Sequence, residues 1–289
     1  MSQPHPIHAL RSGSEAFLRV LFGVFLALIA IALTMLSTPV PFAVVTVVMA
    51  LFASWEWHRM VRSPAQREAA DLEPIHVQTV VTTGAIACAV TAVMVRLVPL
   101  AFLSLAAGVL AAYFLARKRD DNPLWHAGGV LYIGLPSIAL VALKVLPTLG
   151  TWYVLGLFLI VWATDTGALV FGKLIGGKKI APKLSPGKTW AGTIGGTVTA
   201  AAIFALYIAF FTFNVLAALV FAVGLSIVAH LGDLFESLAK RRFGYKDSGG
   251  LIPGHGGVLD RMDSMFAASV ILALLIFGLH LNPLFGGHA

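Results

Sequence analysis

Residues 237–263 read SLAKRRFGYKDSGGLIPGHGGVLDRMD, which is the longest polar, glycine-rich stretch in the second half of the chain. Four cations stand near its start, at Lys240, Arg241, Arg242 and Lys246. Glycines interrupt its middle, and it closes on the letters DRMD just before the chain turns apolar again. Because apolar runs flank it on both sides, this dense charge lies beside membrane-like sequence and requires a topological or functional reason.

The composition indicates a membrane protein. Of 289 residues, 58% are hydrophobic and only 11% are charged, whereas soluble domains carry about 25% charged residues. The chain therefore cannot surround itself with water, and it has no soluble domain of useful size. Its single cysteine excludes an intrachain disulfide and makes a cysteine-based metal site untenable. The net charge of +7 favours anionic partners, although membrane topology is an alternative source of positive charge.

Apolar runs of about 20 residues, the length that crosses a bilayer as a helix, recur along the chain. They predict an all-α, polytopic integral membrane protein with about nine spans: Phe17–Met35, 40–57, Val77–Val95, Val98–Ala116, Trp125–Leu146, Thr151–Gly172, Ala191–Phe213, Val215–Phe235 and Ser264–Leu281. Residues 1–120 form an N-terminal transmembrane region of about four helices. Residues 121–289 form a C-terminal catalytic region with polar loops at 173–190 and 236–263.

Nine spans place successive loops on alternate sides of the membrane. One set of loops receives eighteen of the twenty Lys and Arg residues, and the other receives only Arg96 and Lys144. This asymmetry puts the N-terminus and the loops 173–190 and 236–263 in the cytoplasm and the C-terminus outside. The same bias would explain most of the cations without any binding role.

The acidic residues are not explained by topology. Asp165 and Asp233 fall near the ends of apolar spans, and Glu56 has a similar place in the second span. A carboxylate at membrane depth is costly and is usually paired, metal-bound or turned to a wet cavity. Asp260 and Asp263 stand three residues apart, so they share one face of the next helix if it has already begun. Interaction with the helix dipole is the alternative explanation for Asp263.

Asp233, Asp260 and Asp263 together predict an oxygen-ligand site. Hard oxygen ligands suit Mg²⁺, which takes one or two carboxylates and completes its shell with water and phosphate. A second cation is left open. His255 stands alone and is either a hydrogen-bonded loop residue or a ligand.

A second candidate phosphate-binding element is LSPGKTW at 184–190. Before a helix start, Ser185, Lys188 and Thr189 can present hydroxyls, an ammonium and backbone N–H groups to phosphate. The spacing departs from the nucleotide-binding P-loop, because Pro182 occupies the place of the earlier glycine. Both polar loops together predict a site for a polyphosphate with Mg²⁺, deep enough for a lipid headgroup to enter from the bilayer.

These residues resemble the signature of the phosphatidate cytidylyltransferases, also called CDP-diacylglycerol synthases. The matching positions are Ser237, Lys240, Arg241, Lys246, Asp247, Gly249, Pro253, His255, Gly256, Gly257, Val258, Asp260, Arg261 and Asp263. Two further stretches are similar to family segments: Asp165 to Ala168 with Gly172-Lys173, and Ser185-Pro186 with Lys188-Thr189 and Gly192. Ala239 replaces a larger aliphatic residue, and Ala191 stands where the family often has Glu.

The resemblance implies that CTP and phosphatidate react to give CDP-diacylglycerol and pyrophosphate. It implies Mg²⁺ on Asp233, Asp260 and Asp263. The residues implied to act on the phosphates are Asp260, Lys188, Lys240, Arg241, Lys246 and Arg261. The residues implied to bind substrate are Ser185, Thr189, Ser237, His255, Gly256, Gly257 and Asp165.

The implied partners are CTP, phosphatidate and membrane lipid, without nucleic acid, and a homodimer is left open. The implied location is a bacterial-type inner membrane, with a multi-pass chain whose active site faces the cytoplasm. Two alternatives to this function remain: an ion transporter that uses Asp165 and Asp233 as an intramembrane relay, and another lipid phosphotransferase. A structural scaffold would leave the Gly-His-Gly-Gly and Asp-Arg-x-Asp residues without a purpose.

Overall fold

The computed structural model describes residues 23–36, 38–68, 76–209, 215–250 and 256–280, which form a helical bundle with one small hairpin. The helices are α1 (Gly23–Met35), α2 (Val40–Met60), α3 (Pro64–Glu68), α4 (Val77–Met94), α5 (Val98–Lys118), α6 (Pro123–Val145), α7 (Gly150–Leu174), α8 (Trp190–Ile208), α9 (Val215–Arg242) and α10 (Leu259–Ala273). A π-helical turn, Leu274–Gly278, prolongs α10. The hairpin pairs β1 (Lys179–Ala181) antiparallel with β2 (Ser185–Thr189).

Within the described ranges, eight helices are long and apolar enough to cross a membrane, which confirms the predicted all-α polytopic class. Seven lie between residues 40 and 242, and the eighth is α10 with its π turn. The first predicted span, Phe17–Met35, overlaps α1, but its beginning lies outside the described residues. The total of nine spans, the orientation of the N-terminus and the division at residue 120 therefore stay predictions.

Helix α6 is the centre of the bundle. It contacts α2, α4, α5, α7 and α10, and 72% of the residues in its most apolar stretch are buried. Pro136 stands inside it and removes one helical N–H, while the neighbouring Ser137 hydroxyl donates to the Ile133 carbonyl at 2.7 Å. This arrangement places the first turns of α6 against α2 and α10, next to the polar end of the bundle.

Helices α7 and α8 approach each other closely along a line of glycines. A Cβ at Gly196 would lie 2.5 Å from the Thr164 carbonyl, and one at Gly192 would lie 2.7 Å from the Ala168 carbonyl. Small residues allow such backbone contact between membrane helices. Part of the segment after Asp165 therefore serves packing, and α8 is held firmly where it follows the hairpin.

Lys144, one of the two cations predicted on the sparsely charged side, has a structural role. Its Nζ donates to the backbone carbonyls of Thr34 at 2.5 Å and Leu36 at 3.2 Å, at the C-terminal end of α1. A buried cation that satisfies the open carbonyls of a helix C-terminus is favourable. The exception to the charge asymmetry is thus explained by a tertiary contact.

The structure corrects the predicted bounds of the second polar loop. Helix α9 continues to Arg242, and α10 begins at Leu259, so the connection is 243–258 rather than 236–263. Apolar content marked the span ends too early because charged residues continue both helices: Lys240 pairs with Glu236 one turn earlier in α9. The hairpin was also not predicted, since strands of three and five residues leave little periodic signal.

Candidate active site

Three elements bring the predicted polar residues together at one end of the bundle: β2, the last turns of α9 and the first turn of α10. Lys188 of β2 forms an ion pair with Asp233 of α9. Lys240 of α9 donates to Asp260 Oδ1 of α10 at 2.6 Å. Since these partners are 45 and 20 residues apart in the chain, helix packing and the hairpin assemble the site.

Asp260 is held by several donors. Its Oδ2 accepts hydrogen bonds from Ser248 N at 3.0 Å, Ser248 Oγ at 3.0 Å and Gly257 N at 2.8 Å, while Oδ1 accepts from Lys240. An ionised carboxylate only accepts hydrogen bonds, and these donors occupy most of its lone pairs. In this arrangement Asp260 fixes the 243–258 connection against α9.

Asp233 and Asp263 belong to a second group of carboxylates, with Asp165 and Glu236. Asp263 is 8% exposed and interacts electrostatically with both Asp233 and Glu236. Asp165 lies in the field of Asp263, Asp233 and Lys188. The structure therefore brings Asp165, predicted from its depth, to the same place as the predicted metal ligands.

The surroundings of Glu236 indicate that this group of carboxylates suits Mg²⁺. Both of its carboxylate oxygens are buried without a hydrogen-bond partner in the part of the chain that the structure describes, and its neighbours there are Lys240 Nζ at 3.3 Å and the Asp263 carboxyl. Two adjacent buried carboxylates require a proton or a cation. In the part of the chain that the structure describes, no three or more His, Cys, Asp or Glu side chains are arranged as a metal cage. Mg²⁺ needs only one or two protein carboxylates, so Asp233 and Asp263 suit it.

Glu56 of α2 is the principal site residue that sequence reasoning did not select. It is fully buried, and its carboxylate accepts from Val258 N at 2.9 Å and Leu259 N at 2.9 Å. Ser248 Oγ lies 3.0 Å from both Glu56 Oε2 and Asp260 Oδ2, so the two carboxylates share its one hydroxyl hydrogen. Helix α10 has no side-chain cap of its own at Val258, so Glu56 satisfies N-terminal N–H groups that would otherwise lack partners. Its depth in an apolar span was the available signal, but its partners are about 200 residues away.

Glycines around Glu56 leave no room for side chains. A Cβ at Gly249 would lie 2.5 Å from Glu56 Oε1, and one at Gly257 would lie 2.1 Å from Ser248 Oγ. Gly256 has φ +80°, a conformation that L side chains rarely adopt. The glycines of the signature therefore let backbone N–H groups reach Glu56 and Asp260.

The hairpin positions the other predicted phosphate-binding residues. Thr189 is the N-cap of α8, and its Oγ1 accepts from Gly192 N at 3.0 Å, which leaves the hydroxyl hydrogen available to a ligand. Ser185 begins β2. Arg241 Nε donates to the Leu184 carbonyl at 3.2 Å and so ties α9 to the turn of the hairpin.

The remaining predicted residues have different surroundings. Ser237 is buried on α9, one turn beyond Asp233. Lys246 and Arg261 are exposed, and Arg261 contributes to the field at Asp165. His255 lies outside the described residues, so its role as a substrate-binding residue stays a prediction.

A second buried polar network, which sequence reasoning missed, crosses α2, α4 and α6. His126 Nε2 lies 2.9 Å from Asp121 Oδ2, His126 Nδ1 lies 2.8 Å from His58 Nδ1, and His58 Nε2 lies 2.8 Å from Thr82 Oγ1. Burial opposes ionisation of Asp121, but hydrogen bonds from His126 and two backbone N–H groups lower its pKa below the ordinary value. Because an ionised Asp121 only accepts hydrogen bonds, His126 Nε2 donates to it, and one hydrogen is shared between the Nδ1 atoms of His58 and His126.

The fold and the site define a polytopic membrane protein in which lysines, arginines and carboxylates converge beside the membrane spans. This is the combination that a protein needs to align phosphate groups and neutralise their charge.

The chain belongs to the cytidylyltransferase family, whose sequence model matches residues 17–279. A Brucella suis protein named phosphatidate cytidylyltransferase is 42% identical over 173 residues, or 56% of this chain and 61% of that protein. A Staphylococcus haemolyticus protein of the same name is 45% identical over 150 residues, or 51% and 56% of the two chains. One from Haemophilus influenzae is 43% identical over 137 residues, or 45% and 48%. The matches span 61% or less of these relatives' lengths. The family resemblance of the motifs is confirmed.

Proposed function

We propose that this protein transfers the cytidylyl group of CTP to phosphatidate, which gives CDP-diacylglycerol and pyrophosphate. The observation that carries the proposal is the convergence of the signature in residues 237–263 with Lys188 around the carboxylates of α9 and α10. It is supported by the name phosphatidate cytidylyltransferase that similar proteins bear.

The proposed reaction makes modest demands on acid–base chemistry. A phosphate oxygen of phosphatidate attacks the α-phosphorus of CTP, and the bond from that phosphorus to the oxygen bridging the β-phosphate breaks. The bond's electron pair leaves with pyrophosphate. Because the attacking oxygen is already ionised, the protein's contribution is to align two anions and to neutralise the charge that builds up between them.

The cations of the site are held in ways that suit this task. Lys240 lies between Glu236 at 3.3 Å and Asp260 at 2.6 Å, so its ammonium is fixed at the junction of α9 and α10. Lys188 is fixed by Asp233. Preorganised donors of this kind stabilise developing charge without reorganising during the reaction. Arg241, Lys246 and Arg261 would bind phosphate oxygens from the more exposed side.

Mg²⁺ is part of the proposal, with Asp233 and Asp263 as the residues that would hold it and Glu236 beside them. When bound, the ion would neutralise phosphate charge and favour departure of pyrophosphate. Asp260, predicted as a third ligand, would then act mainly through Lys240 and the glycine-rich connection. A second cation, a homodimer and an active site that faces the cytoplasm of a bacterial inner membrane stay predictions.

The test is an assay of purified protein in detergent with phosphatidate, CTP and Mg²⁺. We expect stoichiometric pyrophosphate and CDP-diacylglycerol, loss of both on addition of EDTA, and recovery on addition of excess Mg²⁺. Diacylglycerol, which lacks the phosphate nucleophile, should give no product. Intact folded protein that forms no product with phosphatidates of several chain lengths would refute the proposed reaction. Cation flux across sealed vesicles without nucleotide would instead support the transport alternative.

Asp260→Asn tests the site within the same assay. The substitution weakens the hydrogen bond from Lys240 and should reduce turnover on the order of 100-fold, as expected when reacting groups are misplaced by about 1 Å. Arg119→Gln, in a loop assigned to topology, is the control and should retain activity. If Asp260→Asn shows wild-type turnover, Asp260 does not contribute to the active site.

A further inference from the structure

An apolar groove opens on the surface of the bundle beside the candidate active site. Its walls come from α2, α6 and α9, and its lining residues are Trp57, Leu124, Trp125, Gly128, Tyr132 and Phe235. It encloses about 260 Å³, slightly less than the roughly 300–1,000 Å³ of pockets that enclose whole small molecules. Leu124 is 75% exposed and Phe235 is 44% exposed, so the mouth is open and apolar. The groove is sized for part of an apolar ligand.

The walls of the groove are fixed by specific contacts. Trp57 Nε1 donates to the Trp125 carbonyl at 2.9 Å, and the Trp57 ring lies 4.9 Å from the ring of Tyr132. Gly129 lets Trp57 pack against α6, because a Cβ there would lie 2.4 Å from the indole. Gly128, one residue earlier, has no atom of the described residues within 4 Å of where its Cβ would stand. The space beside Gly128 is therefore left open between well-packed neighbours.

Tyr132 connects the groove to the carboxylates. Its ring lines the groove and packs against two phenylalanines: the ring centroids of Phe235 and Phe266 lie 5.2 Å and 5.6 Å from the centroid of Tyr132. Its hydroxyl is buried, has no hydrogen-bond partner among the described residues, and lies in the electrostatic field of Glu236 and Asp263. A buried hydroxyl without a partner is unfavourable and rare in native proteins. The hydroxyl therefore lies between the groove, which the Tyr132 ring lines, and the carboxylates of the candidate active site.

We propose that the groove seats the glycerol and the first acyl carbons of phosphatidate, with the Tyr132 hydroxyl donating a hydrogen bond to an ester or phosphate oxygen. The proposal rests on the proposed function and assigns its lipid substrate to a place. An apolar groove that adjoins a site of lysines and arginines matches an amphiphilic anion, with the tail in the groove and the phosphate near Lys188 and Lys240. CTP has no acyl chain to fill an apolar groove, but its cytosine ring can stack on aromatic side chains, so KM for CTP is measured beside KM for phosphatidate.

The position of the groove also favours a lipid. Its walls belong to helices that are long and apolar enough to span the membrane, and tryptophans such as Trp57 and Trp125 are typical of the membrane–water interface. A phospholipid in the bilayer already holds its glycerol at that depth. It could enter sideways between α6 and α9 without leaving the membrane.

Gly128→Leu tests the proposal, because the new side chain would fill the groove. We expect KM for dioleoyl phosphatidate to rise about tenfold, as for the loss of roughly two buried methylene contacts. KM for the short-chain dihexanoyl phosphatidate should rise similarly, because it carries the same glycerol and first acyl carbons, whereas KM for CTP should change less than about twofold. The control is Gly84→Leu on α4, where the Cβ position is equally open and the residue is exposed away from the groove.

Tyr132→Phe removes only the hydroxyl. The loss of one hydrogen bond should raise KM for both phosphatidates about threefold to tenfold and leave KM for CTP unchanged. A purely structural role would change KM for phosphatidate and KM for CTP together, or change neither. If Gly128→Leu does not elute as folded protein, Gly128→Val gives the same comparison with a smaller side chain.

The outcomes separate this proposal from the proposed function. If the wild-type protein forms no CDP-diacylglycerol, the function itself fails. If the wild-type protein is active, and Gly128→Leu handles dioleoyl and dihexanoyl phosphatidate as the wild type does, the groove assignment is wrong and the function stands. An equal KM increase for phosphatidate and for CTP in Gly128→Leu would also overturn the assignment.

Discussion

Replacement of Glu56 by Gln tests whether α2 organises the active site. The side chains have nearly the same shape, but an amide nitrogen donates and cannot accept a hydrogen bond. In the native site Oε1 accepts from Val258 N, and Oε2 accepts from Leu259 N and Ser248 Oγ. Whichever way the amide is oriented, its nitrogen must face a backbone N–H. At least one helix-capping bond of α10 is therefore lost.

The magnitude follows from these contacts. A hydrogen bond to a charged group contributes about 1.5–3 kcal/mol, and loss of the negative charge at the N-terminus of α10 adds roughly 0.3–1 kcal/mol. We therefore expect Glu56→Gln to destabilise the fold by about 2–4 kcal/mol. Because Gly257 N and Ser248 also bind Asp260, turnover should fall on the order of 100-fold if Asp260 moves by about 1 Å.

Two measurements check this prediction: thermal unfolding in detergent, followed by loss of the monodisperse elution peak, and CDP-diacylglycerol formation below the unfolding temperature. The control is Ser54→Ala on the same helix, since the Ser54 hydroxyl is equally buried but has no hydrogen-bond partner. Removing that hydroxyl should be nearly neutral. If Glu56→Gln unfolds at the wild-type temperature and keeps wild-type activity, the capping of α10 by Glu56 has no energetic importance.

Two further predictions concern Lys188 and His76. Lys188→Met should reduce CDP-diacylglycerol formation on the order of 100-fold when the folded variant is assayed well below its unfolding temperature. Because Lys188 Nζ is buried beside Asp233, the variant should also unfold at a lower temperature than the wild type. Wild-type turnover by the folded variant would make the pair structural. Burial, then the positive charge of Arg62, lower the pKa of His76 to about 4. As the pH falls below about 6.5, this histidine becomes protonated in the unfolded chain while it stays neutral in the folded protein. The free energy of unfolding should therefore fall by about 2 kcal/mol between about pH 7 and pH 5. His76→Gln should show a shallower decline in thermal unfolding over this range, and an unchanged decline would contradict the assignment.

The general character of the site was predictable because the residues that carry it are chemically conspicuous. Asp165 and Asp233 are costly in apolar spans, and Lys188, Lys240 and Asp260 stand in polar stretches where glycines leave the backbone open. These residues could be selected from the sequence without knowing how the helices pack. The structure brings Lys188 to Asp233 and Lys240 to Asp260, although the charge pattern did not specify which cation pairs with which acid.

Other features depend on contacts that no local pattern encodes. Glu56 can cap α10 only because α2 packs beside it. Tyr132 is held by ring contacts with Phe235 of α9 and Phe266 of α10. Helix ends were also misplaced by hydropathy, because Lys240 and Asp260 satisfy each other and so let charged residues continue α9 and begin α10.

The amino-acid sequence by itself determined that this protein is a membrane-embedded helical bundle of the cytidylyltransferase family, since apolar length and residue type decide both. Only the tertiary structure decided that Asp260 accepts hydrogen bonds from the glycine-rich connection while Asp233 and Asp263 lie near Glu236, which pairs with Lys240. The physical reason is that a carboxylate takes its role from the donors and charges around it, and helices far apart in the chain supply them here.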